Sequence, residues 1–289
     1  MNIVGVIGGS GLYEMAGLES IERVRLTTPF GDPSDDFVCG TLHGTRLIFL
    51  PRHGRGHRLL PSELNFRANI YGMKQLGVEW LIAVASVGSL REAIAPGHFV
   101  VPDQLIDRTF RRPNTFFGNG IVVHVGFADP FCPVLSRCLS EAAQQLGVTV
   151  HPRGTYVCME GPQFSTRAES FLYRQWGADV IGMTNLQEAK LAREAEICFA
   201  TLALATDYDC WHEVAADVVI GDVLRILGQN VSTAQRVIAA AVPHLGGPRT
   251  CACASALAHA IITDRAHIPD AVKRDLGIIV GKYLREVKR

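Results

Sequence analysis

Short apolar runs that alternate with helical patterns constrain this chain more than any other feature. Helical spacing of apolar residues begins at Ser62 and at Pro133, and Gly147 ends the second of these segments. Alternation of strand-type and helix-type segments is typical of an α/β fold. The predicted strands are residues 4–7, 46–50, 80–85, 154–158, 178–183 and 197–206.

The rest of the chain favours helices and offers no break between domains. Thr166 and Glu169 have the spacing of a capping box, which predicts a helix start, and Gly177 provides the stop. From residue 217 onward only helical patterns are evident. Because no repeat or long linker divides the sequence, we predict one domain over residues 1–289, with residues 244–289 as a variable helical tail.

Charge and composition exclude several classes of protein. The chain has 28 Lys and Arg against 28 Asp and Glu, so no global field attracts nucleic acid or an anionic membrane. Hydrophobic residues make up 48% and charged residues 19%, which predicts a large core and surface buried against other subunits. The N-terminus has no signal-peptide pattern, and no run is long enough to span a membrane. We expect a cytoplasmic protein.

The eight cysteines fit a reducing compartment, because a chain of this size needs no disulfide framework. Cys251 and Cys253 are one residue apart, unlike the two-residue spacing of zinc or thioredoxin motifs. We interpret them as buried or idle thiols, and a disulfide remains open.

Two predicted strands end in turns that suit an anion. Residues 8–11 (GGSG) form a glycine-rich turn whose backbone amides can approach phosphate closely, although a purely structural turn is an equal alternative. Arg52 follows the strand at 46–50, where ligands bind in α/β sheets, and its planar fork suits phosphate oxygens. Taken alone, the loop at 52–58 is better explained as a solvated basic loop. A zinc site at His53 and His57 and a nucleic-acid patch are weaker alternatives.

A third turn and a carboxylate pair follow other strands. Residues 84–92 (VASVGSLRE) predict a small-residue turn that allows close approach of a ligand. Asp207 and Asp209 follow the strand at 197–206, and on an extended backbone both would point the same way. Two like charges in one pocket raise at least one pKa and create a proton donor. A capping role is an equal alternative, and a metal role is weaker.

Seven blocks in this order resemble the methylthioadenosine phosphorylases of the trimeric purine nucleoside phosphorylase superfamily. The resemblance covers about residues 3 to 230 and implies a central mixed, twisted β-sheet flanked by helices, with a helical C-terminal region. The blocks are residues 8–11 (GGSG), 52–54 (RHG), 88–92 (GSLRE), 103–107 (DQLID), 160–165 (EGPQFS), 176–184 (WGADVIGMT) and 205–211 (ATDYDCW).

The resemblance implies an enzyme, a pentosyltransferase. Phosphate attacks C1′ of S-methyl-5′-thioadenosine and releases adenine and 5-methylthioribose 1-phosphate, in purine and methionine salvage. Phosphate is a co-substrate, and no cofactor or metal is expected. By resemblance, the phosphate-binding residues are Ser10, Arg52, His53, Ala85, Ser86 and Thr184, and the substrate-binding residues are His124, Phe164, Met183, Asp207, Tyr208 and Asp209.

Base recognition follows from the same resemblance. Asp207 would donate a proton to purine N7 and Asp209 would contact the 6-amino group. The related 6-oxopurine enzymes carry Glu and Asn where this chain has Ser165 and Asp207, so this pair is expected to select 6-aminopurines. A 6-oxopurine or broad-specificity phosphorylase is the alternative, and a non-catalytic nucleotide- or nucleic-acid-binding protein is the alternative from another class.

The 5′ pocket and the assembly are also implied. Ile220 and Val223 would line an apolar pocket for the methylthio group, and His124 would reach it from a neighbouring subunit of a trimer or a pair of trimers. For Val223, ordinary helix core is an equal interpretation. Gly182, Gln163 and residues 185–188 (NLQE) depart from the family pattern, and the first departure is expected to alter contacts with base or ribose.

Overall fold

The computed structural model describes residues 2–9, 11–212 and 220–284, without the side chains of 220–227 and 229. Helices flank a mixed sheet in which β2-β3-β4-β1-β5-β10-β9-β7 are neighbours and β11, β6 and β8 branch from β5. The strands are β1 Ile3–Gly8, β2 Glu19–Val24, β3 Phe37–Leu42, β4 Thr45–Pro51, β5 Trp80–Ser89, β6 Phe99–Val100, β7 Gln104–Arg108, β8 Val150–His151, β9 Thr155–Met159, β10 Val180–Gly182 and β11 Cys198–Asp207.

Seven α-helices lie within the described residues. They are α1 Phe66–Gln75, α2 Pro133–Gln145, α3 Arg167–Gln175, α4 Asn185–Glu194, α5 Ile220–Ala241, α6 Asp270–Asp275 and α7 Gly277–Leu284. None of these helices combines the length and apolarity that a membrane crossing requires. The predicted α/β architecture with a helical C-terminal region is confirmed.

The two central strands, β5 and β11, pair in parallel over almost their whole length, from Trp80 opposite Cys198 to Gly88 opposite Asp207. Both strands are almost entirely buried, which is the pattern of parallel strands covered on both faces by helices. Their carboxyl ends therefore lie together at one edge of the sheet.

The sheet opens beside β5. Strand β1 pairs with β5 at residues 80–83, and β10 pairs with it in the antiparallel sense at residues 88–89. Between these two pairings, residues 84–87 have no strand partner on that side within the described chain. Such a crevice, where neighbouring strands diverge, is where α/β sheets bind ligands.

All six predicted strands are present, and most differ from the prediction only at their ends. The capping box is confirmed, since the Thr166 hydroxyl accepts from the Glu169 amide at 3.2 Å and the Glu169 carboxylate accepts from the Thr166 amide at 2.8 Å. The small-residue turn predicted at 84–92 is wrong, because β5 continues to Ser89. The small residue at position 88 lets the two strands approach closely, because a Cβ on Gly88 would lie 3.1 Å from Asp207 Oδ1.

The tail packs against the body of the chain. The Tyr71 hydroxyl of α1 donates to the Asp275 carbonyl oxygen at 2.7 Å, and Ile268, Ile279 and Val280 join the core cluster that contains Phe66 and other α1 residues. The assignment of residues 1–289 to one domain stays a prediction.

Gly182 is required by packing within the sheet. In the parallel pairing of β10 with β9, Val180 lies opposite Tyr156, so Gly182 is the next residue on the same face. Tyr156 is fully buried, and its ring extends over this position: a Cβ on Gly182 would lie 2.0 Å from the Tyr156 hydroxyl oxygen. A side chain at position 182 is therefore excluded by Tyr156.

We expect Gly182→Ala to lower the free energy of unfolding by about 1–3 kcal/mol or more, because an overpacked core must displace a buried ring. Gly281→Ala is the control, since a Cβ there meets nothing within 4 Å and alanine favours a helix interior by about 1 kcal/mol. Urea unfolding of both variants checks the difference, and equal stabilities would refute the packing argument.

Candidate active site

Asp207 is the last residue of β11 and lies at the edge of the crevice. Its Oδ1 accepts from the backbone N–H of Asp209 at 2.8 Å, and its Oδ2 lies 2.7 Å from the Thr206 hydroxyl. Burial raises the pKa of Asp207, while these hydrogen bonds oppose the shift. The Asp207 carboxyl therefore keeps its proton to a higher pH than an ordinary aspartate does.

The backbone between the two aspartates is not extended, so the condition under which both side chains would point the same way is not met. Asp209 has a φ of 52° and begins a 3₁₀ helix, Asp209–Trp211. The hydrogen bond from its amide to Asp207 forms an Asx-type turn. The capping alternative therefore describes part of the local structure, yet the turn still keeps both carboxylates in one place.

Asp209 is buried, and its Oδ2 has no hydrogen-bond partner within the described residues. Burial raises the pKa of Asp209; the nearby Ser170 hydroxyl opposes this shift, and the charge of Asp207 adds to it. A buried carboxylate oxygen without a partner is costly, so its position calls for an external donor.

Aromatic contacts hold this turn against the end of β5. The Trp211 indole N–H donates to the Ser89 carbonyl oxygen at 2.7 Å, and the Arg174 guanidinium lies 3.4 Å from the centre of the Trp211 ring. Tyr208 stacks on His212 with ring centres 4.6 Å apart. Arg174 was not found by sequence reasoning, because its contact with Trp211 joins distant segments.

The Thr206 hydroxyl indicates how a proton on Asp207 is accommodated. It has one hydrogen but two acceptors within reach, Asp207 Oδ2 at 2.7 Å and the Val87 carbonyl oxygen at 3.3 Å. If Asp207 is protonated before substrate binds, its O–H donates to Thr206 and Thr206 donates to the Val87 carbonyl oxygen, so both hydroxyl groups have an acceptor. The arrangement accepts a neutral Asp207 without an unpaired donor.

Arg52, directly after β4, is buried in an ion pair with Glu188 of α4. Its Nε and Nη2 donate to the two Glu188 oxygens at 2.5 and 3.0 Å. Nη1 also donates to Val84 O at 2.9 Å, and Nη2 donates to Ile7 O at 3.2 Å. Four of the five guanidinium N–H groups are therefore used within the described residues, which leave the fifth for a ligand.

Glu188 is a site residue that sequence reasoning missed. It is fully buried, and burial raises its pKa while Arg52 lowers it. The only sequence signal was its place in the segment 185–188, beside Thr184. Together with Arg52 it ties the start of α4 to β1, β4 and β5.

His53 follows Arg52 and is neutral at physiological pH. Burial lowers its pKa to about 4, and its Nδ1 lies 2.8 Å from the Leu59 carbonyl oxygen. Nδ1 therefore carries the proton, which leaves Nε2 as an acceptor. The phosphate role of His53 stays a prediction, and this tautomer fits it only through a protonated phosphate oxygen.

The rest of the basic loop is bonded within the chain. Arg55 pairs with Asp35 at 2.9 Å, and Arg58 donates to the Ser34 carbonyl oxygen at 2.9 Å. These arginines are held by the neighbouring loop at 34–36, so they do not form the outward patch that nucleic acid would need.

Thr184 and the unpaired part of β5 are both linked to Arg52: Thr184 stands one helical turn before Glu188, and Val84 accepts from Arg52. Thr184 is buried at the N-cap of α4, and its hydroxyl makes no capping hydrogen bond. The free amides of the first turn favour an anion. Ala85 and Ser86 lie on the part of β5 that β1 and β10 leave unpaired. Ser10 lies outside the described residues.

Ser165 lies beside the aspartate turn, because the Cys210 thiol donates to its carbonyl oxygen at 3.3 Å. Met183 is packed so closely on Gly161 that a Cβ there would lie 2.5 Å from its sulfur. Phe164, the residue before Ser165, is 51% exposed. Their substrate-binding and specificity roles stay predictions.

The remaining predicted residues lie elsewhere or cannot be placed. The side chains of Ile220 and Val223 are outside the described residues. His124 is exposed, and its backbone N–H donates to the Ala260 carbonyl oxygen in the tail at 2.9 Å rather than joining the aspartate turn. Its role from a neighbouring subunit stays a prediction.

Among the described residues, a group of three or more potential metal ligands occurs once, and it consists of cysteines far from Asp207. The zinc alternative for His53 and His57 therefore finds no third ligand; the two rings stack with centres 4.2 Å apart.

Comparison with known proteins agrees with this fold. A family model described as "Phosphorylase superfamily" matches residues 3–243. S-methyl-5′-thioadenosine phosphorylase of Geobacter sulfurreducens is 61% identical, covering 98% of this chain and 99% of that protein. A crystal structure of a methylthioadenosine phosphorylase from an Antarctic soil metagenomic library has a TM-score of 0.92 and 48% identity, over 96% of this chain and 98% of that one.

A methylthioadenosine phosphorylase of Schistosoma mansoni, solved in complex with adenine, has a TM-score of 0.80 and 33% identity over 97% of this chain and 98% of that one. These similarities confirm the predicted nucleoside-phosphorylase-like fold. The chain therefore belongs to the phosphorylase superfamily.

Proposed function

We propose that this protein catalyses the phosphorolysis of S-methyl-5′-thioadenosine to adenine and 5-methylthioribose 1-phosphate. The relatives that carry this activity in their names match nearly the full chain, at up to 61% identity for the Geobacter sulfurreducens protein. The observation that carries the proposal is the order of groups along β5: anion-suited groups at one point and protonatable carboxyls a few residues further on.

The positions of these groups along β5 set the distance between the two substrate sites. The Val84 carbonyl oxygen accepts from Arg52, and residues 85–86 have no strand partner on the side of β1 and β10 within the described residues. Gly88 contacts Asp207 and lies beside Asp209. Four residues of a strand span about 13 Å, which suits a nucleoside with phosphate below its sugar. Phosphate binds at the end near Thr184 and Arg52, and the purine binds at the end near Asp207.

The chemistry requires anion-binding donors at the phosphate end and a proton donor at the base end. Phosphate oxygen forms a bond to C1′ while the bond from C1′ to N9 breaks, and its electrons move into the purine. A neutral carboxyl at Asp207 donates its proton to N7, so the base leaves uncharged. Burial raises the pKa of Asp207 in the direction this step needs. Asp209 Oδ2, which lacks a partner among the described residues, accepts from the 6-amino group.

Phosphate capture relies on several neutral donors and a partly compensated cation. Glu188 offsets the charge of Arg52, which leaves the Thr184 hydroxyl, the first amides of α4 and one Arg52 N–H as donors. The reaction needs no redox or group-carrying cofactor, because phosphate itself is the nucleophile. His53 accepts from a protonated phosphate oxygen.

The active assembly is a trimer or a pair of trimers, with His124 completing the 5′ pocket of a neighbour. Several large apolar side chains are exposed on the single chain, as expected of faces that are covered on assembly: Phe110, Val122, Phe164, Phe171 and Trp176. Light scattering after gel filtration tests this: the mass should be a multiple of three chains.

We place the enzyme in purine and methionine salvage in the cytoplasm.

Release of free base decides the proposed function. Purified protein is incubated with S-methyl-5′-thioadenosine with and without inorganic phosphate, with sulfate at equal ionic strength as the control, and adenine is measured by chromatography. Adenine should form only with phosphate. Adenine release without phosphate, or a preference for inosine over methylthioadenosine, would contradict the proposal.

We expect Asp207→Asn to lower kcat/KM for methylthioadenosine by about 10²–10⁴, the range for loss of a positioned general acid. The loss for inosine should be much smaller, because an amide can donate to O6. Asp270→Asn is the matched control, since the Asp270 side chain is 99% exposed. Unchanged turnover of methylthioadenosine in Asp207→Asn would remove this residue from the mechanism.

Arg52→Ala, together with a double variant, tests whether Arg52 binds phosphate or only pairs with Glu188. It leaves Glu188 as an uncompensated buried charge, which costs about 3–5 kcal/mol of unfolding free energy. The double variant Arg52→Met, Glu188→Leu should regain most of this stability but keep a raised KM for phosphate, because the free guanidinium N–H is absent. Urea unfolding and phosphate KM are measured on both. A normal phosphate KM in the stable double variant would exclude Arg52 from phosphate binding.

A further inference from the structure

Four cysteines from three distant parts of the chain meet at one point. Cys132 is the N-cap of α2, Cys198 is the first residue of β11, and Cys251 and Cys253 flank the start of a 3₁₀ helix in the tail, Ala252–Ser255. All four Sγ atoms lie within 4.8 Å of one another. The cluster is anchored by regular structure, since the Cys132 N–H donates to the Phe199 carbonyl oxygen of β11 at 2.7 Å.

The sulfurs lie in the protein interior and are not oxidised to disulfides. Cys132, Cys198 and Cys253 are buried, and Cys251 is half-buried at the outer side of the group. All eight cysteines are free, and Cys198 and Cys251 have their sulfurs 3.3 Å apart, well beyond the disulfide bond length of about 2.0 Å.

The spacing of the sulfurs suits a tetrahedral metal ion. Four sulfurs at about 2.3 Å from a central zinc ion are separated by about 3.8 Å along each edge of the tetrahedron. The observed 3.3 Å contact and the 4.8 Å limit bracket this edge, so small rotations of side chains are enough to close the site. Four soft thiolate ligands in this geometry select Zn²⁺ over hard cations.

The surroundings favour thiolates. Cys132 precedes the first turn of α2, whose free amides and dipole stabilise a negative charge. Half-buried Cys251 offers an entry path from solvent.

We infer that Cys132, Cys198, Cys251 and Cys253 form a structural Zn²⁺ site that fastens the C-terminal tail to the sheet. The four thiols lose their protons on binding, and the ion's four positions are filled by protein, so none is open for catalysis. Cys198 and Asp207 stand at opposite ends of β11, about 30 Å apart along the strand. The site is therefore separate from the proposed reaction centre and independent of it.

The sequence spacing concealed this site. Cys251 and Cys253 alone do not match a zinc motif, and their partners lie more than fifty residues upstream. The fold brings the other two cysteines to the site, because the first residue of β11, Cys198, and the N-cap of α2, Cys132, are neighbours in the core.

Metal content of the intact protein tests the inference. Protein purified under reducing conditions, without added chelator, should contain about one zinc per chain, as a four-ligand structural site requires. Cys251→Ser should lower this content about tenfold or more, whereas Cys138→Ser should leave it unchanged. The two variants are matched, since both cysteines are half-buried and free, but Cys138 is outside the cluster.

Reconstitution keeps the test decisive if Cys251→Ser fails to fold. Wild-type protein stripped of metal and titrated with Co²⁺ should show the charge-transfer and d–d bands of a tetrahedral tetrathiolate, and Zn²⁺ should abolish them. Absence of zinc together with absence of these bands would overturn the inference. Disulfides among the four cysteines, found by peptide mass spectrometry of freshly isolated protein, would overturn it as well.

Discussion

The parallel pairing of β5 with β11 is the constraint on which the rest of the site depends. It sets Gly88 opposite Asp207, and among the described residues it leaves residues 84–87 of β5 without a strand partner on their other side, between β1 and β10. A shift of one residue would turn every side chain of the strand to the opposite face. Burial on both faces prevents such a shift, because both strands are almost continuously apolar. The distance between anion-suited and acidic groups is thus a property of strand register.

Electrostatic balance is local rather than global. The chain has no net charge, yet the crevice combines helix amides and Arg52 at one end with two carboxyls of raised pKa at the other. Glu188 has a central place in this balance, because it fixes the Arg52 guanidinium and reduces its charge. Such an arrangement suits the proposed binding of phosphate without a strongly basic surface, and it agrees with the internal pairing of Arg55 and Arg58.

The sequence was informative wherever a signal is local. Apolar runs predicted the central strands, and Thr166 with Glu169 predicted the start of α3, because hydrophobic periodicity and capping act over a few residues. The turn predicted at 84–92 is wrong, and the extended backbone considered for Asp207–Asp209 is not observed, since the length of β5 and a positive φ at Asp209 are set by tertiary contacts. Arg52 was found, but its partner Glu188 was not, because an ion pair across 136 residues has no sequence pattern. The same holds for the cysteine cluster.

The central claim is that a protonated Asp207 drives departure of the base, and the pH dependence of kcat/KM for S-methyl-5′-thioadenosine tests it most directly. Because burial raises the pKa of Asp207, the active protonated form should persist at higher pH than an ordinary aspartate allows, and the rate should fall as pH rises through that pKa. The pH profile of the residual rate of Asp207→Asn should lack this descending limb. It should keep only the dependence that comes from ionisation of phosphate, which affects both proteins alike. An identical descending limb in the wild-type protein and in Asp207→Asn would contradict the account.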